Sequence, residues 1–399
     1  MRVKHIITGA VSFWIFAIFY STVTIGERQL EFGQQVSGDG NRSFLLAAGP
    51  ILLVSGIFVL IRYRQMIVSL LRTSMSFLLF SVMLVVMLFN GVTLWNHDAI
   101  LYTALFAASV LVILYINWIF GPRFFWIAAV SIIAMLFSFI AIHGFPVGRW
   151  IGGIHPNHIG AFALLATFFA ARSGHSLRWV LYLISLSFAI MISSRYAMIA
   201  IAMIVFADYV ASIPRFDLRR AIGLVFLSAF FFLSILFGHD LIAHWLALHD
   251  SARGIDTGFT GRADLWNNFA PQILDRPFTG FGFRERGLYD GTHNGFLNFA
   301  LESGLIVMTL FFLAMISIFR EGITRLRSGT THKRDIIVVL ASWVAWAFAA
   351  FFQPQLVNFG DATGIMTIFL LTAHVKWIMS NETSKQMADH SPRSNAYAG

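Results

Sequence analysis

Cysteine is missing altogether from the 399 residues, which excludes a disulfide framework, a thiolate nucleophile, an iron-sulfur cluster and Cys-ligated zinc. Charge is scarce as well. Asp, Glu, Lys and Arg make up 12% of the chain, about half the share found in soluble domains. What fills the gap is apolar: 58% of residues are hydrophobic, 42 of them Phe, and the mean hydropathy is +0.75. Acidic residues are the rarer sign, 19 against 28 Lys and Arg, for a net charge of +9. In a soluble chain that excess points to nucleic acid. In a membrane chain it is what basic cytoplasmic loops supply, so no nucleic-acid partner is assigned.

Twelve apolar runs are long enough to cross a hydrocarbon core of about 30 Å. They lie near Ile6 to Ile25, Phe44 to Ile61, Met75 to Trp95, Ile100 to Phe120, Phe124 to His143, Asn157 to Ala171, Trp179 to Ser193, Tyr196 to Ser212, Ala221 to Gly238, Asn294 to Phe319, Ile336 to Phe352 and Ala362 to Met379. The first follows Arg2, Lys4 and His5 but has no small-x-small cleavage site, so it reads as a retained helix. The sequence thus predicts an all-α integral membrane protein with about 12 transmembrane helices and one large external loop holding short helices. Its parts are helices 1–9 in residues 1–238, the loop in 239–293, helices 10–12 in 294–380 and a polar tail in 381–399. With both termini cytoplasmic, all but nine of the 28 Lys and Arg residues fall inside, and five of those nine sit in the long loop.

The loop is where chemistry is expected. Leu265, Phe269 and Ile273 recur at i+4, which predicts a short surface helix over Ala263 to Leu274, kinked at Pro271. Pro277-Phe278-Thr279-Gly280-Phe281-Gly282 reads as a turn, and its glycines lack the strand-to-helix context and following Lys of a phosphate loop. At the exit, Asn294, Asn298 and Glu302 repeat at i+4, placing three polar side chains on one helix face that should turn into the bundle. His293 stands just before them. It is either an interfacial capping histidine or a general base near neutral pH, and on a continuous helix Glu302 lies about 180° away from it. Glu302 is either an inter-helix hydrogen-bond partner or a support for the site.

Arg195, in a tight external link, and Arg262, at the start of the loop helix, run against the positive-inside trend. Each is either an interface anchor or a planar donor fork suited to phosphate oxygens. Arg284 and Arg286 are exposed-loop cations with, at most, supporting roles. His155-Pro156-Asn157-His158 has two histidines at i+3 but no third ligand nearby, so capping by Asn157 is preferred to metal binding.

Gly261-Arg262 followed by Trp266, then Pro277 to Gly282, then His293-Asn294 with Gly304 ten residues after the Asn, resembles the bacterial O-antigen ligase and polymerase superfamily, which includes exopolysaccharide polymerases. Val307 stands where the ligase pattern often has Gly, Thr or Tyr. Ser194-Arg195 resembles the external arginine that the same superfamily places before a mid-chain span. The resemblance implies a glycosyltransferase of the bacterial inner membrane with a periplasmic active site. It would move a glycan from undecaprenyl diphosphate to a lipid A core, as a ligase, or to another carrier-linked glycan, as a polymerase. In that reading His293 is catalytic; Arg195, Arg262 and Asn294 bind the diphosphate; Glu302, Arg284 and Arg286 support; and neither metal nor cofactor is needed. A transporter or flippase is the alternative from another class, though no related halves are visible and ionisable groups gather externally.

Overall fold

The structure, a computed structural model, describes residues 39–146, 151, 156–213, 265–283, 294–328, 332–352, 356, 362–375 and 377–378, with backbone alone over 39–48. The expected spans at Ile6 to Ile25 and Ala221 to Gly238 lie outside them, as do Arg262, Arg284, Arg286, His293 and His155. Every expected span that falls on described residues is helical, and no strand occurs among them.

The helices are α1 (Asp39–Arg62), α2 (Arg64–Thr73), α3 (Met75–Thr93), α4 (His97–Ile119), α5 (Pro122–His143) and α6 (Pro156–Ser173). Then come α7 (Arg178–Met191), α8 (Arg195–Ala211), a 3-10 turn (Ala270–Asp275), α9 (Gly295–Arg327), α10 (Lys333–Ala350) and α11 (Ala362–Ala373). Local chemistry sets several ends. Ser74 and Asn96 accept from the Phe77 and Ala99 N–H groups to cap α3 and α4, and Pro122 opens α5, where no N–H is needed. α6 also opens on a proline, so Asn157 sits inside its first turn and is not the cap expected of it.

Four described helices, α3, α4, α5 and α9, are long and apolar enough to cross a membrane, and a fifth candidate is α1 from Gly49 joined to α2 across a 77° bend. The count of about twelve crossings is therefore carried by the sequence, not by helix length. Large apolar side chains such as Val54, Val85, Phe89, Leu183 and Ile316 point outward, as expected of a lipid-facing surface. α2 departs from the sequence reading, which left residues 62–74 as a connection. Its Met66, Ile67 and Leu70 form one apolar face against Phe77, Leu114, Val375 and Ile378, so the segment lies across the bundle as an amphipathic helix. α9 likewise runs past Phe319, where the span was expected to end, to Arg327.

Buried polar clusters gather the ends of helices that the charge pattern places inside. Asp208 on α8 accepts from Arg178 Nε at 2.6 Å, Tyr182 Oη at 2.9 Å and Arg334 Nη2 at 2.5 Å. Arg172 reaches Asp335 at 3.1 Å and Asn117 at 2.6 Å, with Trp377 Nε1 donating to the same Asp335. Ser74 and Ser76 meet Glu321 and His374. Asp208, 0% exposed, holds two guanidinium groups, and removing one partner of a buried ion pair strands the other's charge. Asp208→Ala is expected to cost about 3–5 kcal/mol, read as a lower thermal midpoint in detergent; an unchanged midpoint would show that the cluster contributes nothing to stability.

The opposite end of the bundle follows by continuity. α8 and α10 meet at the charged end through Asp208 and Arg334, so Arg195, which begins α8, and Phe351, which follows α10, lie at the other. Phe351 packs against Phe296 in the first turn of α9, with ring centroids 5.0 Å apart and the ring planes tilted. The start of α9 and the start of α8 therefore share one end of the molecule.

Candidate functional site

At that shared end, Asn294 adopts extended backbone and its side-chain oxygen accepts from Phe296 N at 3.0 Å and Leu297 N at 3.1 Å, which caps α9. Asn298 and Glu302 follow on the same face. All three are buried, at 8–9% exposure, and Asn298 Nδ2 donates to Glu302 Oε1 at 3.1 Å. The i+4 polar stripe does turn inward, as expected.

α9 is not one continuous rod. Gly304 has φ 82° and ψ 167°, a conformation essentially reserved for glycine, and it breaks the helix nine residues after its start. A break inside an apolar medium exposes backbone donors and acceptors that must find partners within the protein. Here the partners come from the segment read as a turn. Phe281 N donates to Leu301 O and Gly282 N to Glu302 O, each at 2.9 Å, while Leu305 N, just past the break, donates to Pro277 O at 2.7 Å. The residues from Pro277 to Gly282 thus form a hook that splices into the helix.

Glycine at two positions makes the splice possible. Gly280 has φ 65°, and a Cβ there would sit 2.5 Å from the Glu302 carbonyl. At Gly304 a Cβ would land on the Phe278 carbonyl oxygen. The sequence pattern of a glycine ten residues after Asn294 therefore has a backbone cause. The short helix expected over Ala263 to Leu274 is seen from residue 265 as five α-helical residues that tighten into the 3-10 turn at Ala270. The change comes one residue before Pro271, the expected kink position.

A third element closes the arrangement. Asn90, buried in the last turn of α3, donates from Nδ2 to Ser303 O at 3.1 Å and Thr279 O at 3.2 Å, with Phe278 O at 3.5 Å. Phe283, the residue after the hook, packs on Phe106 of α4 with ring centroids 6.0 Å apart. Asn90 was passed over in the sequence as one polar residue in an apolar run. Its signal was that amide inside a span, where a polar side chain has to find a partner.

Arg195 is half-buried in the first turn of α8, after Ser193 with φ 51° and Ser194, against which Gly160 of α6 packs closely. Tyr196 donates its hydroxyl to the Asn157 carbonyl, tying the starts of α6 and α8 together. The structure thus describes Arg195, Asn294 and Glu302 among the expected site residues and puts Arg195 and Asn294 at the same end of the bundle. No curated protein matches the chain. Residues 179–312, from the first turn of α7 through the hook and past the break at Gly304, match the family model described as O-antigen ligase, which supports the resemblance to the O-antigen ligase and polymerase superfamily.

Proposed function

We propose that the protein is a glycosyltransferase acting at the extracytoplasmic face of the bacterial inner membrane, on a glycan carried by undecaprenyl diphosphate, and that it works as an O-antigen ligase onto lipid A core. The observation that carries the reading is the matched segment itself. It contains the hook, the broken α9 and the Arg195 turn, with the starts of α8 and α9 at the end opposite the buried ion clusters. An active site outside the cytoplasm has no nucleotide sugars, so its donor must arrive already activated, and a polyprenyl diphosphate lies where a basic loop meets lipid.

In this mechanism His293 takes the proton of the acceptor hydroxyl as its oxygen attacks the anomeric carbon. The bond from that carbon to the diphosphate oxygen breaks, and the charge left on the carrier is held by the guanidinium forks of Arg195 and Arg262. Arg284 and Arg286 add positive potential around the loop. Asn294 holds the helix start beside the base. Polymerisation onto a second carrier-linked glycan uses the same steps with a different acceptor. Transport has less support: Asp208, one of two acids that the sequence places within spans, is tied into a cluster with two arginines and a tyrosine, and the sequence shows no related halves.

The test is a deletion strain complemented with the gene, with lipopolysaccharide run on a gel beside the secreted polysaccharide. Loss of capped lipopolysaccharide with carrier-linked glycan of normal chain length identifies the ligase. Loss of long chains identifies the polymerase. No change in either, with carrier flux across liposomes, overturns the transferase reading.

A further inference from the structure

Asn90 lies on α3, far in sequence from the segment that matches the family and from every residue given a role above. Its carboxamide bridges two pieces of backbone: the hook at Thr279 and the turn of α9 just before the break at Ser303. These two pieces flank the ten residues 284–293, which hold Arg284, Arg286 and His293. The entry to that stretch is Phe283, seated on Phe106, and its exit is the Asn294 cap. Together with the backbone bonds that seat the hook in the break, the Asn90 side chain joins the end of α3 to both the hook and the first turns of α9.

We infer that Asn90 is a positioning residue for the transfer reaction: through its bonds to the Thr279 and Ser303 carbonyls it holds the hook against the broken helix and so sets the placement of the first turns of α9, which carry Asn294 and Glu302. The inference rests on the transferase reading above. The donor is suited to the task. A carboxamide nitrogen has two hydrogens, and here two carbonyls stand within 3.2 Å of it. α3 is itself anchored, through Ser74 and Ser76 at its far end, to Glu321 on α9. The frame in which the hook is set thus ties both ends of α3 to α9.

Asn90→Leu keeps most of the volume and removes the donor. In liposomes, kcat for transfer is expected to fall about a hundredfold, the scale set by a misplacement of about 1 Å, while the KM for the lipid-linked donor stays within about threefold. Because the chain has no native cysteine, spin labels at Phe89→Cys on α3 and Phe278→Cys on the hook, both exposed, report the distance directly. A single narrow distribution should broaden in Asn90→Leu, and Asn90→Gln should recover part of both rate and narrowness. If Asn90→Leu does not accumulate, Asn90→Ser, too short to span both carbonyls, carries the same test.

A wild-type kcat, or an unchanged distance distribution whatever the rate, overturns the inference. Should Asn90→Leu be fully active while His293→Ala is dead, positioning by Asn90 is wrong and the transferase reading stands. Full activity in both overturns that reading and the inference with it.

Discussion

His293→Ala is expected to lower glycan transfer by about 10²–10⁴-fold, the range that a positioned general base contributes, with expression and thermal midpoint unchanged. A sugar hydroxyl ionises far above neutral pH, so it attacks slowly unless its proton is taken as the bond forms. Among the residues with an assigned role, His293 alone has an ordinary pKa near the working pH. Arg262→Ala removes charge stabilisation on the leaving diphosphate, and its loss should persist when acceptor is raised to saturation, because the missing contact matters most in the transition state. The measurement is the initial rate in liposomes with purified carrier-linked glycan. A His293→Ala enzyme at the wild-type rate would remove the base from the mechanism and leave the cap reading of this histidine in place.

Much of this architecture was legible because membranes impose strong rules. A long apolar run has one outcome in lipid, since only a helix satisfies its own backbone, and each run on described residues is helical. Asn294, Asn298 and Glu302 announced their shared buried face through i+4 spacing alone. Pro271 lies one residue past the change from α to 3-10.

Other features left weaker traces, for physical reasons. α2 was missed because Arg62, Arg64 and Arg72 make residues 62–74 look like a basic connection. The face formed by Met66, Ile67 and Leu70 counts only once Leu114 and Val375 are seen beneath it. Ion pairing hid in the same way. Arg172, Arg178 and Arg334 were read as cytoplasmic charges and nothing more, while their partners Asp335 and Asp208 come from other helices. The splice between hook and helix was the least legible of all. It is made of main-chain N–H and C=O groups, which every residue carries, so the sequence shows only the glycines that permit it.

Gly304→Ala is expected to be the most damaging single methyl that can be added to this end of the molecule. Two effects combine: an alanine at φ 82° and ψ 167° costs about 1–3 kcal/mol of backbone strain, and its Cβ would displace the Phe278 carbonyl and with it the hook. Two other glycines separate these contributions. Gly121, at φ −89° with nothing within 4 Å of an added Cβ, should accept alanine with no loss. Gly144, at φ 80° and also with open space around it, should show the strain alone, about 1–2 kcal/mol. Gly304→Ala should exceed Gly144→Ala in loss of thermal midpoint. It alone of the three should also abolish transfer, because it alone moves the segment that leads to His293. If Gly304→Ala and Gly144→Ala lose the same stability and both keep full activity, the hook is not seated in the break and the helix start is held by its cap alone.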